Sequence, residues 1–281
     1  MAVRRVRVYS PDTIARGGLP VLREMIDEQV ASRELTWRLF VRDLSAKYKQ
    51  SVLGFLWAFL SPIATVAVFV LLNQSGVLDI GQTSIPYPAY ALLGITIWQL
   101  FATGLTLGAG SIVAGGSIVV KINFPKECLV IAAVGQSLFE FLIQLVLLVA
   151  VFVWYQLVLP WQMIFLPFVL LPLLALTLGL GLLLSLLDVV IRDVEKSLGI
   201  LTTLLLLLTP VMYPVPSQGL LAQISHWNPL VPLIVGPRDL VITGQFPLSV
   251  SYISASLCSF AFLMVAWWLF HLAEKRIAER V

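Results

Sequence analysis

Charge is scarce in this chain. Of 281 residues only 12% are Asp, Glu, Lys or Arg, 59% are hydrophobic, and the mean hydropathy is +0.96. A soluble core does not need that much apolar surface, whereas a lipid-facing bundle does. Histidine and cysteine are rarer still, with two of each. His226 and His271 belong to opposite sides of such a bundle, in no His-Glu-x-x-His motif and beside no Cys/His cluster, so their spacing offers no zinc site. Cys128 and Cys258 read as small apolar packing residues, kept apart and reduced rather than paired in a disulfide. There is no Gly-x-x-x-x-Gly-Lys-Ser/Thr phosphate cradle, which excludes ATP binding of that kind. No Ser-His-Asp or paired-carboxylate arrangement can be assembled, so nothing argues for an enzyme. A net charge of +3 is too small for a nucleic-acid-binding face. The first fifty residues are Arg-rich, carry Pro11 and Pro20, and lack the short apolar run of a cleavable signal.

What charge there is has a pattern. Ten cations precede the first long apolar run: Arg4, Arg5, Arg7, Arg16, Arg23, Arg33, Arg38, Arg42, Lys47 and Lys49. Lys121 and Lys126 follow the second run, Arg192 and Lys196 the fourth, and Lys275, Arg276 and Arg280 the last. Only Arg238, beside Asp239, falls on the other side. Cationic loops near membrane spans stay cytoplasmic, so the alternation predicts an all-α integral membrane protein with six spans and both termini inside.

The spans are expected at about 52–72, 90–113, 129–155, 163–187, 198–212 and 250–270, given that ~20 residues cross ~30 Å of hydrocarbon. Residues 1–20 read as a mobile tail. Residues 21–50 read as an amphipathic interface helix and turn, with Leu22, Ile26, Val30, Trp37, Phe40, Val41 and Leu44 at helical spacing. That helix is too charged to span and is expected to lie along the inner membrane surface. The fifth run is short and broken by Pro210, Pro214 and Pro216. Residues 213–247 must be outside by parity, yet are largely apolar and carry Pro229, Pro232 and Pro237. A pair of short re-entrant helices in the outer leaflet satisfies both constraints. Tyr87, Tyr90, Trp154, Tyr155, Trp161, Tyr213, Trp227 and Tyr252 fall near the same outer boundary, as an interfacial belt or as faces for sugars.

Gln136, Glu140 and Gln144 recur every four residues on the third span and form a buried polar stripe, for interhelical hydrogen bonding or for a proton relay. Ser51, Gly54, Ala58, Ser61 and Thr65 make a small, polar face on the first span, flanked by Phe55, Phe59 and Phe69. Such a face either permits close helix contact or lines a pathway. Gly104 and Gly108 read as a packing step. Asp188, Arg192, Asp193, Glu195 and Lys196 make a charged inner joint between the fourth and fifth spans.

Four segments carry a resemblance. Residues 42–57, Arg-Asp-Leu-Ser-Ala-Lys-Tyr-Lys-Gln-Ser-Val-Leu-Gly-Phe-Leu-Trp, resemble the entry to the first span of polysaccharide-export ABC permeases. So do Lys121-Ile122-Asn123-Phe124-Pro125-Lys126-Glu127, Thr209-Pro210-Val211-Met212-Tyr213-Pro214, and Asn228-Pro229 followed by Arg238. The chain is similar, from about residue 33 onward, to type 2 ABC exporter permeases of the branch carrying O-antigen, other lipid-linked glycans and, in some bacteria, teichoic acids.

The resemblance implies a homodimeric channel in the bacterial inner membrane, driven by two copies of a separate cytoplasmic ATPase that would hold ATP and Mg, with no cofactor in this chain. It implies a cytoplasmic gate at Lys47, Tyr48, Lys49 and Gln50. ATPase coupling is implied at Arg38, Arg42, Asp43, Lys121, Asn123, Phe124, Pro125, Lys126 and Glu127. It implies a channel lined by the first and fifth spans, with Ser51, Phe55, Ala58, Phe59, Ser61, Thr65, Phe69, Thr202, Thr209 and Tyr213 as candidates. The outer end would be shaped by Trp227, Asn228, Pro229 and Arg238. The cargo would be a lipid-linked polysaccharide, held weakly by hydroxyl and aromatic groups. Alternatives are teichoic acid, capsule, a small lipid or drug, or a proton-coupled carrier using Glu140.

Overall fold

The computed structural model describes residues 19–49, 54, 56–77, 80–116, 118–119 and 124–277. Among these the regular structure is helical throughout. The helices are α1 (Leu19–Ala31), α2 (Arg33–Lys49), α3 (Leu56–Gln74), α4 (Tyr87–Gly115), α5 (Glu127–Trp154), α6 (Leu166–Val190), α7 (Val194–Leu208), α8 (Leu220–Trp227), α9 (Leu230–Thr243) and α10 (Val250–Ile277). A 3₁₀ turn, Trp161–Phe165, leads into α6. Gln50, Ser51, Phe55, Lys121 and Asn123 lie outside the described residues, as do residues 1–18 of the expected tail.

Among the described residues, five helices are long and apolar enough to cross a membrane: α3, α4, α5, α6 with its 3₁₀ lead-in, and α10. The fifth expected run behaves differently. It yields only the 15 residues of α7, ~22 Å of helix against ~30 Å of hydrocarbon. Thr209 takes extended backbone angles, as a residue before proline is driven to do, and Pro210 then has no amide hydrogen to continue the ladder. At the other extreme, α10 runs seven residues past the expected end of its span, to Ile277.

The centre of the bundle is α4, packed against α5 and α6, with α10 against the far side of α6. Its approach to these neighbours depends on small residues. A side chain at Gly108 would meet the Gly181 backbone at 3.2 Å, and one at Gly104 would meet Ser137 and Thr177 below 3.0 Å. One core cluster joins Trp98, Phe101, Phe141, Leu173 and Ile234. A second joins Leu39, Phe124, Cys128, Leu129, Leu182 and Phe270.

The segment expected as one interface helix forms two, divided at Ser32, where the Ser32 and Thr36 amides still bond four residues back. The second half does not lie across the end of the bundle. Thr36 meets Cys128, Phe40 packs on Gly135 and Phe139, and Lys47 pairs with Glu140. From Thr36 to Lys47 is ~16 Å along α2, and from Cys128 to Glu140 ~18 Å along α5. The two helices therefore run side by side. The Phe40 face docks on the groove that Gly135 leaves open.

Candidate functional site

The outer end is built around Arg238. Arg238 is not displayed to solvent: it is 2% exposed, on the buried face of α9. Its Nη1 donates to the Pro210 carbonyl at 2.8 Å, and its guanidinium lies 4.5 Å from the centre of the Tyr90 ring. Asn228 Nδ2 donates to Thr209 Oγ1 at 2.9 Å, while Asn228 Oδ1 accepts the Leu230 amide at 3.0 Å and so starts α9. Tyr90 Oη donates to the Tyr213 carbonyl at 3.3 Å, and Tyr213 Oη to that of Leu207 at 2.7 Å. The Thr-Pro-Val-Met-Tyr-Pro segment and the Asn-Pro…Arg segment are thus each other's partners. The carbonyls freed where α7 breaks at Pro210 are satisfied by the arm that follows, as buried backbone requires. Gly94 makes room for the broken end of α7, since the Val211 carbonyl sits where a Cβ would be.

Outside this staple, Leu205, Leu208, Leu220, Trp227 and Asn228 line an open cleft of about 780 Å³ between α7 and α8. Trp227 is 85% exposed and Pro229 also faces out.

The inner end is organised by α2 and the start of α5. Lys47 forms an ion pair with Glu140, a residue near the middle of α5. Tyr48, beside it, has its phenol pushed up to about 12 by burial and by the Glu140 charge. Lys49 is exposed. Arg38 bonds Glu34 at 2.6 Å on the exposed face of α2, and Arg42 bonds Asp43 at 2.6 Å. In the connection before α5 the side chains turn inward. Phe124, Lys126 and Glu127 are buried and Pro125 half-buried. Lys126 Nζ donates to the Phe124 carbonyl at 2.8 Å and lies over the Phe124 ring, and the Lys126 amide donates to Glu274 at 2.7 Å. This connection is an anchor, while Arg38, Arg42 and Lys49 are among the exposed cations of α2.

The polar stripe divides. Gln144 Nε2 donates to Gln99 on α4 at 2.5 Å, an interhelical bond whose partner the sequence spacing did not reveal. Gln136 is buried, and Glu140 belongs with Lys47. Along α3, Ser61 is exposed, and Ala58, Phe59, Thr65 and Phe69 are half-buried, with Thr65 Oγ1 bonded to the Ser61 carbonyl. Thr202 and Thr209 depart from the expected lining role. Thr202 is buried with its hydroxyl on the Leu198 carbonyl, and Thr209 is fully buried on Asn228. A hydroxyl on α7 satisfies backbone one turn away more cheaply than it faces lipid. Tyr213 stays half-exposed. The faces left open are apolar: Trp57, Leu60 and Ile63 on α3, and Ile200, Leu201, Leu204 and Leu207 on α7.

Two comparisons bear on this architecture. Residues 34–242 match the model of the ABC-2 type transporter family. The chain belongs to that family. This ABC-2 type transporter chain is 28% identical over 261 residues to the O-antigen export system permease protein RfbA of Myxococcus xanthus, covering 92% of this chain and 99% of the relative. It is 26% identical over 245 residues to a protein of the same name from Klebsiella pneumoniae, covering 85% and 91%. The polysialic acid transport protein KpsM of Escherichia coli is 24% identical over 254 residues, covering 84% and 92%. The matched span contains both the α2–α5 contact and the Arg238 staple.

Proposed function

We propose that this chain is the transmembrane permease subunit of an ATP-driven exporter that moves a lipid-linked polysaccharide, O-antigen in the first instance, from cytoplasm to periplasm. The observation that carries the reading is similarity to O-antigen export permeases along nearly the whole chain. In this reading two copies enclose the passage in the bacterial inner membrane, and two copies of a separate ATPase supply the energy. The open apolar faces of α3 and α7 support pairing, since one bundle has little room for a hydrated glycan. The fifth crossing is α7 completed by the stapled segment through Tyr213, which gives six passes and cytoplasmic termini in keeping with the cation pattern. Lys47 and Tyr48 act as the inner gate, Arg38 and Arg42 as the ATPase-facing cations, and Trp227 and Tyr213 as faces for sugar rings at the outer end.

The test is reconstitution of this chain with a cytoplasmic ABC ATPase from the same organism. Export of a lipid-linked glycan by the pair, and no ATP hydrolysis by this chain alone, is the expected result. Export by the isolated chain without any ATPase would refute the proposal. The KpsM similarity favours capsule polysaccharide as the second cargo. A proton-coupled carrier through Glu140 has the Lys47 ion pair against it, and full export by a Glu140→Gln variant would dispose of it.

A further inference from the structure

Folding brings together three side chains that no sequence spacing connects. Glu127 opens α5, and His271 and Glu274 lie in the last turns of α10. One ligating atom from each lies within 4.8 Å of the others. Glu127 is 2% exposed and His271 is buried as well. Their direct contact is 3.4 Å, from His271 Nδ1 to Glu127 Oε1, long for a charge-assisted hydrogen bond.

A hydrogen-bonded lock accounts for this arrangement only in part. Glu127 Oε2 is buried and has no hydrogen-bond partner, although its residue faces the other two. A buried carboxylate oxygen left without a donor is destabilising, because its desolvation goes uncompensated. Two carboxylates side by side in a buried place add mutual repulsion, which the His271 imidazole and the Lys126 ammonium offset in part. The nearby Lys126 ammonium is bonded to the Phe124 carbonyl and ring. The Glu274 carboxylate is held in place by the Lys126 amide, the kind of supporting hydrogen bond that orients a metal-binding carboxylate.

We propose that Glu127, His271 and Glu274 form a binding site for a divalent transition-metal ion of the zinc class. One nitrogen and two carboxylate oxygens suit such an ion, whereas calcium and magnesium prefer oxygen alone and more of it. Donor atoms around a tetrahedral ion with bonds of ~2.0–2.2 Å lie ~3.3–3.5 Å apart, so closing the site takes a side-chain shift of ~1 Å. The ion neutralises both carboxylates, gives Glu127 Oε2 a partner, and clips the inner end of α10 to the start of α5. Three protein donors leave a position for water. The site does not depend on what the protein transports.

The test uses the full-length, tag-free protein in detergent, stripped with chelator and titrated with Zn²⁺ or Co²⁺ alone. One ion per chain is expected, at low-micromolar affinity or tighter, with visible absorption bands from the cobalt form. Saturation should raise the melting temperature by ~5 °C, because the ion binds only the folded state. His271→Gln and Glu127→Gln should each weaken binding at least 100-fold and abolish the thermal shift, while His226→Gln retains both. Wild-type protein that takes up less than about a fifth of an ion per chain at 100-fold excess over micromolar affinity overturns the site, even if a variant fails to fold. Binding that survives both His271→Gln and Glu127→Gln overturns it equally. Neither readout involves export, so its failure is distinct from failure of the functional proposal.

Discussion

The Lys47–Glu140 pair should be energetically lopsided, and the lopsidedness follows from burial. Lys47 keeps 41% of its side chain exposed, whereas Glu140 keeps 14%, so the two charges lose different amounts when separated. Removing Lys47 strands a mostly buried carboxylate in the middle of α5. Removing Glu140 leaves an ammonium that reaches water along its own stem. Exposed pairs are worth ~0.2–1 kcal/mol, and breaking a fully buried one costs ~3–5 kcal/mol. For this intermediate case we expect Lys47→Ala to cost ~1–2 kcal/mol and Glu140→Ala about half as much. The double variant should fall ~1 kcal/mol short of the sum, the signature of direct coupling. At ~2–4 °C per kcal/mol, Lys47→Ala lowers the melting temperature of detergent-solubilised protein by ~2–8 °C. Lys47→Glu combined with Glu140→Lys should recover most of that loss. Coupling below ~0.3 kcal/mol, or a Glu140→Ala loss exceeding that of Lys47→Ala, would refute the reasoning.

Other outcomes follow from the same geometry. Arg238→Ala removes a charged hydrogen bond and a ring stack from buried carbonyls, so a destabilisation of ~2–4 kcal/mol is expected in thermal melts, with Arg238→Lys intermediate because it keeps charge but loses the planar fork. Asn228→Ala should be non-additive with Arg238→Ala in the same melts, since both hold the segment 209–211. Gly94→Ala sets a methyl where the Val211 carbonyl lies, and should lower the yield of monodisperse protein severely on size-exclusion chromatography. The Tyr48 phenol, with its pKa raised to about 12, is neutral at ordinary pH. Its contribution to stability is intact below ~10 and is lost only as pH climbs from there toward about 12, so Tyr48→Phe should leave the pH profile between ~6 and ~9 unchanged.

Helical spacing and charge placement made most of this fold legible. Every expected apolar run contains a helix, and the fifth was recognisably short because its prolines are local signals. The short outer helices α8 and α9 fall within the segment whose apolar content and parity conflicted. What the sequence hid is what depends on distant partners. Glu127 and His271 are 144 positions apart. Gln144 finds Gln99, on a different helix, 45 positions away. Periodicity put Gln136, Glu140 and Gln144 on one stripe, but α2 standing beside α5 claims only the middle one. Arg238 stands out in the sequence by its isolation from the other cations. Its inward direction was not visible, because the carbonyls it serves exist only where α7 breaks. The resemblance makes Thr202 and Thr209 channel-lining candidates, but the Thr202 hydroxyl donates to the Leu198 carbonyl and Thr209 Oγ1 accepts from Asn228, pairings that spacing alone does not show.

The mutual bonding of residues 207–238 has a mechanical consequence. Tyr213 ties back to Leu207, Asn228 to Thr209, and Arg238 to Pro210, so the outer arm has no slack of its own. Any displacement of α9 must therefore carry the broken end of α7 with it, so that the stretch swings as one plate. Its travel is then limited by Tyr90, the ring on α4 against which Arg238 bears.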